Sequence, residues 1–164
     1  MDAEIVALRP SGGNFNYVIR IEGLDSLMRY LKDSDPKLRK ALQQGMKDAA
    51  QPVLIKARAN AQRIADDGTF KNSLSIRAYA NGSLRLRSND EAAGVKEFAR
   101  QGARYKPKST DKRRNARKMR SFPVGVPKRA NQPRVMVPAV NDSIDEVKSR
   151  IEIRLDEVLG RTDG

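Results

Sequence analysis

The sequence predicts an α+β protein: a small antiparallel sheet from two hairpins, packed by a long broken helix and a C-terminal amphipathic helix, with a basic extended insertion. Three observations predict it. Alternating apolar residues flank turn-forming clusters twice, an alanine-rich stretch of helical period lies between them, and a helical apolar stripe closes the sequence. With 164 residues the chain fits a single domain, 1–164, large enough to bury a core.

Residues 4–9 and 14–22 are separated by the turn cluster Pro10, Ser11, Gly12 and Gly13, and the second run alternates Phe15, Tyr17, Ile19 and Ile21 with other residues, as a hairpin does. After Gly23, the positions Leu24, Leu27, Met28 and Leu31 fall at helical spacing and give a short amphipathic helix ending near Asp33. Asp35 before Pro36 starts the next helix, because the Asp side chain accepts orphan N–H groups and Pro already has the first-turn φ. Its apolar face runs through Leu38, Leu42, Met46, Ala49, Val53, Ala57 and Ile64 to about Ala65. Pro52 lies inside and must kink or divide it.

Asp66, Asp67 and Gly68 end that helix, and Leu74 to Ser88 reads as two strands around Asn81-Gly82, the two-residue type I′ signal. Ile76 and Ala78 then face Leu84 and Leu86, which leaves Arg77, Arg85 and Arg87 on the outer face. Glu91 to Arg100 forms a short helix with Val95 and Phe98 on one side. Phe122, Val124 and Val126 alternate with Pro123, Gly125 and Pro127 in an edge strand or extended segment, and Val135 to Val137 form a further short strand. Val140, Ile144, Val147, Ile151, Leu155 and Val158 then mark an amphipathic helix closed by Gly160.

Composition narrows the chemistry. The chain has no His and no Cys, which removes histidine bases, thiol nucleophiles, disulfides and the usual zinc ligands. Asp66, Asp67, Asp90 and Glu91 are the only clustered acids in loops, and caps and turns explain them as well as a divalent cation does. The expectation is a protein that is not an enzyme, with no catalytic residue, no metal and no cofactor. The first residues lack the basic start and apolar run of a signal peptide, and no apolar stretch nears the roughly 20 residues that span a bilayer. A soluble, intracellularly made protein with no membrane partner is therefore expected.

The charge is segregated. Of the net +13, the stretch from Arg100 to Arg134 carries +12, through thirteen basic residues against the single acid Asp111. Twelve of these are the candidate polyanion- or partner-binding residues: Arg100, Arg104, Lys106, Lys108, Lys112, Arg113, Arg114, Arg117, Lys118, Arg120, Lys128 and Arg129. Residues 101–120 form a basic insertion or arm, flexible or ordered by a partner, because so few apolar side chains cannot offset its ordering entropy. Tyr105 is the only aromatic in that arm, so contacts to nucleic acid are of the backbone type and not base stacking. A solvated loop, a docking strap for an acidic protein and a DNA contact all remain open.

Several motifs share an order that resembles one family. Gly23-Leu24 precedes a short helix, an alanine-rich helix follows, and Gly68 comes before Leu74, Ser75 and Ile76. Ala93 with Glu97 and Phe98 is similar to a "YA…EFG" stretch, and Pro133, Arg134, Pro138 and Ala139 are similar to "P-R-P-F-L-x-P-A". This pattern resembles the tail-completion or neck proteins, the head-tail joining family of long-tailed bacteriophages, over roughly residues 23–160. Val135 and Met136 replace the aromatic of the last motif, Ala99 and Arg100 replace Gly-Thr, and residues 101–120 have no counterpart.

The resemblance implies a structural virion protein. It would form a six-fold or twelve-fold homo-oligomeric ring at the neck or tail top, joining the head connector to tail terminator or tube proteins, with channel DNA within reach. Glu97, Phe98, Pro133, Arg134 and Pro138 are the candidate subunit-interface residues. For Glu97 and Phe98 the plainer reading is an ordinary helix with a buried Phe and a solvated Glu. The alternative function is a free, sequence-nonspecific nucleic-acid-binding protein, for which a pI near 10.3 is the cue.

Overall fold

The computed structural model describes residues 3–8, 15–64, 68–98, 104–105, 120–121 and 133–160. Its architecture is α+β, with helices packed on a four-stranded antiparallel sheet of order β1-β2-β4-β3. The strands are β1 (Ala3–Leu8), β2 (Phe15–Ile21), β3 (Leu74–Ala78) and β4 (Leu84–Ser88). Both expected hairpins form, and β2 joins them by pairing with β4. Ile76 lies opposite Leu86 and Ala78 opposite Leu84, as the alternation requires.

The period of two sorts the sheet into two faces. Tyr17, Ile19, Ile21, Leu74, Ile76, Leu84 and Leu86 are buried on one of them. Against that face pack α1 (Leu24–Ser34), α2 (Pro36–Ala49) and α3 (Gln51–Gln62), which contribute Met28, Leu31, Leu42, Met46, Val53 and Ala57 to the same core. Asp35 caps α2 as expected, its carboxylate accepting from the Lys37 and Leu38 amides at 3.0 and 2.9 Å. The long helix is divided at Ala50, and Pro52 stands in the first turn of α3, where its missing N–H is not needed.

The outer edge of β3 is covered from the helices. Arg58 and Gln43 donate to the carbonyls of Leu74 and Ala78, and Arg39 to that of Ala80 just beyond the strand, so both ends of that edge are engaged.

Several expectations are corrected. The Asn81-Gly82 turn is not a two-residue type I′ loop: Tyr79 N–H donates to Ser83 O and Gly82 N–H to Tyr79 O, leaving three residues in the loop. Gly82 takes the left-handed conformation, φ 73°, that a three-residue hairpin loop needs. The Asn81 carboxamide oxygen accepts instead from the Ser83 hydroxyl at 2.7 Å, a short polar bridge that favours the longer loop.

Residues 135–137 are not a strand; helix α6 (Met136–Asn141) begins there, and the closing helix α7 (Ile144–Leu159) is separate from it. Pro138 sits within the first turn of α6, where proline costs no hydrogen bond. A short helix α4 (Thr69–Ser73) adds to the expected elements, and α5 spans Ala93–Phe98 among the described residues. The strands β5 (Arg104–Tyr105) and β6 (Arg120–Ser121) pair antiparallel. The expected extended segment at Phe122–Val126 lies outside the described residues.

Candidate binding surfaces around a buried carboxylate

Most of the expected polyanion-binding residues lie outside the described residues: Arg100, Lys106, Lys108, Lys112, Arg113, Arg114, Arg117, Lys118, Lys128 and Arg129. Arg104 and Arg120 are placed by their backbone, in β5 and β6, where Tyr105 pairs with Arg120 and Arg104 with Ser121. What the structure does show is how the body holds the two ends of this cationic stretch.

Those ends meet in a reciprocal clamp. Glu97, in α5, is fully buried, and its carboxylate accepts from three successive amides at the start of α6: Val135 at 3.2 Å, Met136 at 3.0 Å and Val137 at 3.2 Å. It thereby satisfies donors that a helix start leaves without intrahelical partners. In return the Arg134 guanidinium donates to the Lys96 carbonyl and, at 3.2 Å, to that of Glu97, so that α5 ends on a cation. The Asn60 amide on α3 donates to Val135 O at 3.2 Å and ties the clamp to the helical layer.

The electrostatics follow from burial. Desolvation lifts the Glu97 carboxyl above its ordinary range, and the amides of Met136, Val137, Val135 and Arg134 bring it only partly back. The Tyr17 hydroxyl is pushed up by burial first and by the Glu97 charge second. Burial lowers the Arg134 guanidinium, opposed by the same carboxylate.

A second buried pair braces α5. Lys96 Nζ lies 2.6 Å from Asp90 Oδ2, with both side chains over nine-tenths buried, and stands 5.7 Å from the Phe70 ring centroid. Asp90 also accepts from the Ala92 amide at 2.8 Å, while its own amide donates to Ser88 Oγ at 3.1 Å. Asp90 therefore locks a loop; among the described residues no group of three or more carboxylates is placed to hold a metal ion.

The plainer sequence reading is overturned at Glu97, which is fully buried, while Phe98 packs half-buried against the core. Pro133, Arg134 and Pro138 are also half-buried. The structure brings Glu97 and Arg134 together within one chain, and Glu97 has no surface left for a neighbouring subunit.

The outward face of the sheet is cationic. Arg77 stands directly opposite Arg85, and Arg87 opposite both Ser75 and Asn16, on three adjacent strands. The Arg85 guanidinium lies 4.1 Å from the Tyr79 ring centroid, and Arg87 donates to Asn89 Oδ1 at 2.5 Å. Sequence reading placed these arginines outward but attached no role to them. The chain matches no family model, no curated protein and no solved structure.

Proposed function

We propose that this chain is a structural virion protein of a tailed bacteriophage, forming a ring at the head-tail junction that joins connector to tail. In this reading the cationic stretch around residues 100–129 grips neighbouring ring proteins or the DNA of the channel. The observation that carries it is the clamp: the sequence between Phe98 and Arg134 holds nearly all the net charge, and at its two ends Glu97 and Arg134 bond to each other's backbone neighbourhood in the core. A strap anchored so firmly at its root transmits force to a ring without disturbing the core beneath it.

The two stretches that resemble the neck family, at Ala93–Phe98 and Pro133–Ala139, are the two that meet in this clamp. Their meeting supports reading the resemblance as one functional unit. The reading needs no catalytic chemistry; of the loop acids, Asp90 is paired with Lys96.

The test combines assembly and joining. Purified protein should form a six-fold or twelve-fold oligomer by mass photometry, and purified particles should contain the chain by mass spectrometry. Replacing Lys112, Arg113, Arg114, Arg117 and Lys118 by Gln should leave the fold intact while heads and tails accumulate unjoined. Normal infectious yield from that variant defeats the proposal. So does a monomer absent from particles that retards DNA, which is the behaviour of a free nucleic-acid-binding protein.

A further inference from the structure

We propose that the outward face of the sheet is a second, independent polyanion site, one that takes the phosphate backbone of duplex nucleic acid through Arg77, Arg85 and Arg87. The inference stands on the geometry of the sheet and does not depend on ring formation or on the cationic stretch beyond Phe98.

The first ground is the contrast between three helix arginines and the sheet arginines. On the helices, Arg29, Arg150 and Arg154 are paired with Asp25, Glu146 and Glu157, three or four residues away. Folding neutralises those charges locally. On the sheet, none of Arg77, Arg85 and Arg87 has a carboxylate partner among the described residues, and the Nε atoms of Arg85 and Arg87 are shielded from water without a hydrogen-bond partner. Arg77 is exposed and Arg85 and Arg87 are only half-buried, so these cations stay within reach of an anion from outside.

The second ground is register. Arg77 and Arg85 are directly opposed across β3 and β4, a like-charge pairing that opposes sheet formation. Arg85 and Arg87 are two residues apart on β4, so three guanidinium groups share one small area of a single face. A local arrangement that works against folding is expected where binding recovers the cost.

The chemistry of the occupant follows from what surrounds these groups. Arginine forks match phosphate and carboxylate equally well in shape, but a phosphate backbone presents its charges at regular close spacing and releases counterions on contact. The only aromatic ring described at this site, Tyr79, is covered by Arg85, so no stacking platform is offered to unpaired bases. Contacts confined to phosphates give binding without sequence preference.

The probe is a 30-base-pair duplex DNA followed by fluorescence anisotropy from 50 to 300 mM NaCl. The full-length triple variant Arg77→Gln, Arg85→Gln, Arg87→Gln is made both in the natural chain and in the chain with Lys112, Arg113, Arg114, Arg117 and Lys118 already replaced by Gln. In both backgrounds the triple variant should bind at least tenfold more weakly near 100 mM salt, with the slope of log K against log salt smaller by about 2–3. The corresponding Arg→Lys variant, which keeps the charge, should retain that slope.

Unchanged affinity and slope in both backgrounds overturns the proposal, as does a triple variant that loses affinity for poly-glutamate but not for DNA, which marks an acidic protein as the occupant. An Arg→Lys variant that fails to fold also overturns it, because the arginines are then structural. None of these outcomes bears on ring assembly, which is read from particles.

Discussion

Replacing Glu97 by Ala tests the clamp directly. The substitution orphans the amides of Val135 and Met136, both buried, and also the half-buried Val137 amide. Each buried orphan costs about 1–3 kcal/mol, so two buried orphans and one half-buried one give an expected loss of about 3–5 kcal/mol. For a chain of this size that lowers the melting temperature by roughly 10 °C. Glu97→Gln keeps an acceptor for the amides but turns an NH₂ toward the Val135 and Met136 amides, and should lose about 1–2 kcal/mol.

The pH dependence has a definite sign. The folded-state pKa of Glu97 is raised, so its contribution to stability is fully present below the unfolded value near 4.3 and is lost as pH rises through the folded value. Gln has no such dependence, so the stability gap between the natural protein and Glu97→Gln should narrow from pH 5 to pH 8. Urea unfolding at both pH values, with thermal melts followed by circular dichroism, measures these quantities. A Glu97→Ala protein melting within about 3 °C of the natural one, or a gap that widens with pH, refutes the reasoning.

Two glycines should respond with opposite sign. Gly82→Ala forces a side chain into φ 73° and sets its Cβ 3.0 Å from the Leu24 backbone, so it should cost about 1–3 kcal/mol in urea unfolding. Gly45→Ala, inside α2 and 3.6 Å from the Arg154 side chain, meets ordinary contact and should add about 0.5–1 kcal/mol. Asp90→Ala removes a buried carboxylate 2.6 Å from the Lys96 ammonium and should cost about 3–5 kcal/mol, while the double replacement of Asp90 and Lys96 should cost less than the two single changes together; simple additivity would mean the two do not act as a pair.

The parts of the fold legible in the sequence are those encoded by near neighbours. The alternation of Phe15 to Ile21, the Asp35-Pro36 start and the stripe through Val147, Ile151 and Leu155 each rest on contacts within a few residues, and each forms. Val135–Val137 read as a strand because β-branched residues favour one, yet this stretch opens α6 because a carboxylate 38 or more residues earlier accepts its amides. Nothing local marks Glu97 as that acceptor; its burial depends on the meeting of α5 and α6. The Asn81-Gly82 turn departs from type I′ for a smaller reason, since the same dipeptide also serves a three-residue loop when Ser83 can bond to Asn81.

The sheet arginines and the cationic stretch share one property: the sequence around each supplies almost no acid. The twenty acidic residues include many that fall three or four positions from a basic residue on a helix, whereas Arg100–Arg134 holds the single acid Asp111 and Arg77 faces Arg85. A net charge of +13 distributed in this way repels itself in the free protein and attracts anions, so salt should act in opposite directions on the two processes. Raising NaCl from 50 to 300 mM screens the repulsion and should raise the unfolding midpoint of the free protein, while the same change weakens its association with duplex DNA steeply. If stability falls over that range, the helix ion pairs outweigh the uncompensated cations, and the charge separation inferred here has no energetic consequence.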